Sequence, residues 1–343
     1  MTSSRVKKYN NPVTATLTGI RDLFRKHEAA GELKTTDRLD GKTVLVDGSS
    51  SGLGFAVAVD VARRGARVIM ACRSGIPAMG EKVKKLSGNP DVHMFHVDFS
   101  DIHSIRDLVA GLKSSPLFGE GRGGIDILVC NAGIVPRQSR KSPQGLEEMF
   151  MVNYFSKFIF VNLLLENRLL GDTGYGMRDA GKENPRIIFV ASESHRNPEK
   201  FDWEDFGRYR DYRIGKSIEL YGYYKLLLTT FACELSRRLN PGHETRIPVF
   251  ALCPGPVNSN IAREAPAIFQ PLLRLVFGIF FKSPAKAAVP VVYLAASPDV
   301  EGKSFDYLFL MSRAEVDEKA SDPGNGKRLW KLSEDLLESL KAV

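Results

Sequence analysis

From about Thr43 the chain alternates short β-type runs with longer helical ones, and this alternation constrains the fold more than any other feature. The strand-like runs fall at 43–47, 67–71, 92–97, 125–130, 186–191, 246–252 and 305–310. Helical stretches separate them, among others at 52–64, 102–112, 146–170 and 219–239. Runs such as Val44-Leu-Val and Ile187-Ile-Phe-Val are apolar without interruption, as a strand buried on both faces requires. Parallel strands need a crossover between them, usually a helix. The pattern therefore predicts an α/β fold: a doubly wound parallel sheet of about seven strands with helices on both faces. No second series follows, so one domain is expected over 41–312, with an N-terminal extension (1–40) and a C-terminal helical extension (313–343).

Composition narrows the class. Among 343 residues, 43% are apolar and 26% charged, ordinary for a soluble globular protein. No run approaches the roughly 20 uncharged apolar residues of a bilayer span. The polar, basic start MTSSRVKKYNNP argues against a cleaved secretory signal. Residues 1–40 carry a short helical pattern in Leu17, Ile20 and Phe24, which reads as an extension packed on the domain or as an amphipathic foot on a membrane. The four cysteines form no CxxC pair, and Cys72, Cys130 and Cys253 lie in or beside strand-like runs. Buried, reduced thiols are expected, not a metal site or disulfide frame. The net charge of +8 favours anionic partners, including phosphorylated cofactors and anionic membrane surfaces. It is diffuse and comes with no RNA- or DNA-binding motif, so no nucleic-acid partner is expected. The expected location is cytoplasmic, with peripheral contact at a membrane surface left open.

After the first strand comes Asp47-Gly48-Ser49-Ser50-Ser51-Gly52-Leu53-Gly54, ahead of an Ala/Val-rich helix. Glycines at such a strand-to-helix turn let the backbone approach a pyrophosphate, while the helix N-terminus offers unpaired N–H groups. In this position the motif marks a Rossmann-type dinucleotide site. The second strand ends Met70-Ala-Cys72-Arg73, with no carboxylate to hold a ribose 2′-hydroxyl. The Arg73 guanidinium suits the 2′-phosphate of NADP(H).

Tyr221-Gly-Tyr-Tyr-Lys225 sets a phenol and an ammonium on one helical face. Hydride transfer to a carbonyl creates an alkoxide that needs a proton, and a free tyrosine, with a pKa near 10, is a poor acid/base at neutral pH. An ammonium one turn away and an oxidised nicotinamide both favour the phenolate. Tyr221 is thus the expected acid/base and Lys225 its electrostatic partner. Tyr223 and Tyr224, with leucine at 227 and 228, are expected to pack or line the pocket. Ser192 and Ser194 follow a strand and are candidates to orient the substrate oxygen; His195 reads as a loop histidine bonded to backbone. Asn153 interrupts an apolar helix and needs polar partners there.

These elements, in this order, resemble a short-chain dehydrogenase/reductase over roughly residues 40–312. The similarity is to the retinol dehydrogenase-like group and to its relative, light-dependent protochlorophyllide reductase. It rests on Gly48-x3-Gly52-x-Gly54, Ala71-Cys-Arg73, Val97-Asp98, Val129-Cys-Asn-Ala-Gly133, Asn153, Ser192, Tyr221-x3-Lys225 and Pro254-Gly-Pro-Val257. The resemblance implies that Asp98 meets the adenine amino group and that Asn131, Ala132 and Gly133 border the adenine-side ribose. It implies that Pro254, Gly255 and Val257 wrap the nicotinamide, with Ser259 where the family has threonine. It assigns the substrate-orienting hydroxyl to Ser192, and to Asn153 a bent helix and a water leading to Lys225. One departure stands out: the family usually has threonine where this chain has Asp47. A carboxylate there brings negative charge toward a pyrophosphate unless it is screened.

Residues 266–281 are apolar nearly all round but broken by Pro271, Arg274 and Gly278. They read as a lid, within 260–283, over a lipophilic substrate, and the loop 193–218 with Phe201, Trp203 and Phe206 as the opposite rim. The expected function is NADP(H)-dependent interconversion of an alcohol and its aldehyde or ketone on a retinoid, steroid or lipid carbonyl. A protochlorophyllide reductase-like enzyme, which has cysteine where this chain has Pro256, and a non-catalytic NADPH-binding regulator are the alternatives. Superfamily members often dimerise through helices matching 146–170 and 219–239, so a homodimer is open, as is a monomer.

Overall fold

The computed structural model describes residues 28–118, 123–170, 184–242, 245–255 and 283–341. Val257, Ser259, the expected lid and the helical pattern around Leu17 lie outside the described residues. Strands β1 (Thr43–Asp47), β2 (Arg67–Cys72), β3 (Val92–His96), β4 (Ile127–Cys130), β5 (Arg186–Val190), β6 (Val249–Cys253), β7 (Phe305–Phe309) and β8 (Ser312–Arg313) form one sheet. Its order is β3-β2-β1-β4-β5-β6-β7-β8. The first seven strands are parallel and β8 turns back antiparallel to β7. The sequence reading of about seven strands missed β8 because two residues leave no periodic signal.

Strand residues alternate between two cores with period two. Leu45, Leu128, Cys130, Ile187 and Phe189 face one layer; Val44, Val46, Val129, Ile188 and Val190 face the other. The second layer is built by α1 (Gly52–Arg63) and, after helices α2 (Ala78–Ser87), α3 (Ile102–Ser114), α4 (Glu148–Glu166) and α5 (Ile214–Leu239), by α6 (Pro284–Ala296). Helix α6 begins with Pro at its first position and a Ser283 cap, although Pro290 inside it argues against a helix. Helices α3, α4 and α5 cover the first layer. The helix expected over 146–170 is interrupted: Met151–Phe155 form a π-helical turn centred on Asn153. By length and mean hydropathy, 1.3, α4 could cross a bilayer, but 78% of it is buried inside the protein, as a core helix would be.

After a short helix α7 (Glu318–Ser321), α8 (Pro323–Lys341) lies across α4 and α5. Phe158 and Trp330 ring centroids are 5.2 Å apart, and Tyr154 Oη is 2.6 Å from Ser333 Oγ. The start of the described chain runs along β8: Ala30 N donates to Met311 O (2.8 Å) and Arg313 N to Glu28 O (2.9 Å). Tyr293 of α6 clamps it, donating to Ala30 O at 2.7 Å.

Candidate active site

Strand order reverses between β1 and β4, so their C-terminal ends diverge and open the crevice where ligands bind in such sheets. Gly48 forms the first turn there with φ +60°, and a Cβ on it would lie 2.8 Å from Ala132 Cα. Only glycine allows both the conformation and the close approach. Helix α1 then starts at Ser51 with extended backbone, no side-chain cap and no acid in its first turn. An uncapped, uncharged helix N-terminus beside Ser50, Gly52, Leu53 and Gly54 fits a phosphate group.

Asp47 does not face this turn. Like Leu45 two residues earlier, it points to the α4 side of the sheet, where it is fully buried. Its Oδ2 lies 2.9 Å from Lys157 Nζ, and Oδ1 accepts the backbone N–H groups of Asn131 (2.6 Å) and Ala132. The expected encroachment of its charge on a pyrophosphate is thus corrected: side-chain alternation carries the carboxylate away, and an ammonium neutralises it. The Asn131 amide is also turned inward, donating to Asp47 O (3.0 Å) and Gly48 O (3.2 Å), so it braces the turn from behind. At the neighbouring strand ends, Arg73 is exposed with Nη1 3.5 Å from Asp98 Oδ2. Ser100 donates to Asp98 Oδ1 from its N–H (2.9 Å) and its hydroxyl (2.7 Å). These bonds and Arg73 outweigh burial and hold the Asp98 carboxyl below its usual range.

The reacting groups converge beyond β5. Ser192, with extended backbone, opens a 3-10 turn over Glu193–Arg196 and accepts the Ser194 hydroxyl at 2.9 Å. That turn packs directly on α5 because Gly222 has no side chain; a Cβ there would lie 2.9 Å from Ser194 O. The contact brings the Ser192 hydroxyl close enough to Tyr221 to lower its phenol's proton affinity. Lys225, one helical turn on, is buried; its Nζ donates to Val190 O at 2.7 Å and lies 5.7 Å from the Tyr221 ring centroid. Asn153 Oδ1 accepts Ile134 N–H (2.7 Å) and its Nδ2 donates to Ile134 O (2.9 Å), tying α4 to the end of β4. A Cβ on Gly133 would lie 3.3 Å from Asn153 Oδ1 and 3.8 Å from Lys225 Nζ, so these three meet. Pro254 and Gly255 follow β6 at the same edge of the sheet.

The profile of the family described as short chain dehydrogenase matches residues 42–201. Retinol dehydrogenase 14 of Mus musculus is 34% identical over 317 residues, covering 88% of each chain. The chain belongs to the short-chain dehydrogenase/reductase family. Retinol dehydrogenase 13 of Homo sapiens, 30% identical over 97% of this chain and 96% of its own, places it in the retinol dehydrogenase-like group. The angucycline C-6 ketoreductase LanV, solved with bound NADP, superposes with a TM-score of 0.57 at 25% identity, covering 83% of this chain and 97% of that one. As a short-chain dehydrogenase/reductase the protein is an NAD(P)-dependent oxidoreductase.

In the protein alone, burial, with a smaller contribution from Cys253, pushes the Tyr221 phenol well above its ordinary pKa; the Ser192 hydrogen bond only partly opposes it. Lys225 is itself lowered to about 8, first by burial and then by repulsion from Lys157. Because its folded pKa lies below the unfolded 10.5, the unfolded chain binds more protons between about pH 8 and 10.5, and this group's contribution to stability rises with pH across that window. Lys225→Met removes the dependence. The difference in Tm between variant and parent is expected to fall steadily from pH 8 to 10.5; a constant difference would show that Lys225 titrates normally.

Other residues resolve without catalytic roles. His195 is buried, with Nδ1 2.7 Å from Ser192 O and Nε2 accepting from Asp317 N (3.2 Å); burial lowers it to about 4. Tyr223 donates to Asp202 O at 3.0 Å, and Tyr224 packs edge-on to Phe150. Phe201 stacks on Trp203 at 4.3 Å and Phe206 meets Phe150 at 5.2 Å, so these aromatics pack against the core. All four cysteines are free and buried. Sequence reasoning missed Lys157 and Gly222. The signal for Lys157 was a lone lysine inside Phe155-Ser-Lys-Phe-Ile-Phe160, four residues after Asn153.

Proposed function

We propose that this protein is an NADP(H)-dependent oxidoreductase that interconverts an alcohol and its aldehyde or ketone on a lipophilic substrate of the retinoid, steroid or lipid carbonyl type. The observation that carries the reading is the convergence of Tyr221, Ser192 and Lys225 on one point at the edge of a dinucleotide-type crevice. A bound NADPH would supply the hydride. Ser192 would hold the substrate oxygen, and Tyr221 would release its phenolic proton to that oxygen as it gains charge. Lys225, fixed to Val190 O, would stabilise the phenolate left behind. Asn153 and Gly133 border Lys225, which supports a path for proton return.

Three observations support the cofactor and substrate class. Arg73 is exposed beside the crevice with no competing acid in β2. A solved relative in the family carries NADP. Relatives at 30–34% identity over most of the chain include retinol dehydrogenases 13 and 14. A cytoplasmic location with peripheral membrane contact belongs to the same reading. The test is optical: NADPH oxidation against a panel of lipophilic aldehydes and ketones. Arg73→Asp is expected to weaken NADPH relative to NADH by roughly tenfold or more, since a good charge-assisted contact contributes about 1.5–3 kcal/mol. Equal use of both cofactors by the parent protein would remove the NADP(H) assignment.

A further inference from the structure

The buried pair Asp47–Lys157 joins three segments that the site needs in register. From β1, the Asp47 carboxylate takes the N–H groups of Asn131 and Ala132 at the end of β4. Asn131 returns its amide to Asp47 O and Gly48 O, closing a ring of hydrogen bonds behind the cofactor turn. From α4, Lys157 lies one helical turn beyond Asn153, and its Nζ sits 4.0 Å over the ring of Phe99, next to Asp98. The two side chains are 0% and 1% exposed, and among the described residues neither Asp47 Oδ2 nor Lys157 Nζ has another hydrogen-bond partner. Each charge therefore depends on the other, and removing one strands its partner in a medium where an unpaired charge is strongly disfavoured.

We infer that Asp47 and Lys157 form an internal brace that keeps the dinucleotide turn electrically neutral and aligned with Asn153, which makes both of them positioning residues for cofactor binding. The inference deepens the reading above and rests on that turn accepting NADPH. The brace also acts on Lys225, whose proton affinity the Lys157 ammonium lowers and the Asp47 carboxylate raises by a smaller amount. The groups facing Lys225 are Lys157 from α4, Asp47 from β1, Cys253 from β6 and Tyr221 on its own helix.

The test is a double-variant cycle on the full chain, read by NADPH fluorescence titration. Lys157→Met leaves an unbalanced carboxylate beneath the turn and is expected to weaken NADPH on the order of tenfold. Asp47→Asn leaves Lys157 unopposed and should move the lysine-dependent limb of the kcat–pH profile to lower pH. Asp47→Asn combined with Lys157→Met removes both charges and should restore NADPH affinity to within a few-fold of the parent. Additive losses in the double variant, or equal affinity in all variants with an unmoved pH profile, would overturn the brace while leaving the reading of the site intact. If the single variants do not fold, the double variant decides: folded with near-parental affinity supports the brace, folded without binding refutes it. A parent protein that binds no NADPH would instead defeat the cofactor reading, and the brace with it.

Discussion

Tyr221→Phe is expected to lower kcat by roughly 10²–10⁴-fold, the range a positioned acid/base supplies, with NADPH affinity changed only a few-fold. The ring that packs in the site stays and only the hydroxyl leaves, so cofactor contacts and stability should survive. No neighbour can take over. Tyr223 Oη is committed to Asp202 O, and Tyr224 is buried against Phe150. Ser192 would be left without its phenolic partner, and Lys225 cannot replace a proton donor fixed at the substrate oxygen. Single-turnover measurement of NADPH oxidation separates the chemical step from release. Near-parental turnover in this variant would refute the assignment of Tyr221.

Removal of residues 323–343 should produce the largest physical change, because α8 covers an aromatic face. Leu329 and Ser333 are fully buried, and Trp330 contacts Phe158 at 5.2 Å and Phe231 at 5.8 Å, with Arg238 stacked 4.0 Å from its ring. Truncation would expose Tyr154, Phe158 and Phe231 together, a contiguous apolar patch of the kind that drives association. The full chain is expected to be monomeric through this face and the truncated chain to self-associate in sedimentation velocity. Trp330→Ala alone should cost about 2–4 kcal/mol, read from denaturant unfolding, since part of the ring is solvated. A truncated protein as stable and as monomeric as the parent would show that α8 is dispensable.

The fold was legible in the sequence because buried parallel strands are continuous apolar runs, and Val44-Leu-Val or Ile187-Ile-Phe-Val can be little else. The placing of Tyr221, Lys225, Ser192 and Asn153 was equally readable, since each sits at a fixed offset from a strand end or along one helix face. What escaped depends on contacts between distant segments. The Asp47–Lys157 pair joins positions far apart in the chain, and nothing local in either segment announces the other. The need for Gly222 arises only when the Ser194 carbonyl lands on α5. The π-turn at Asn153 is invisible to a 3.6-residue period, which it interrupts by one residue. Spacing predicts the neighbouring ammonium but not the desolvation that raises the Tyr221 phenol in the protein alone.

The stitching of Glu28 and Ala30 along the Ser312–Arg313 edge carries a consequence for how the molecule is made. A ribosome releases Glu28 and Ala30 long before Ser312 and Arg313, so the first segment has no edge to pair with until that strand is made. Closure over so large a sequence separation favours slow, late completion.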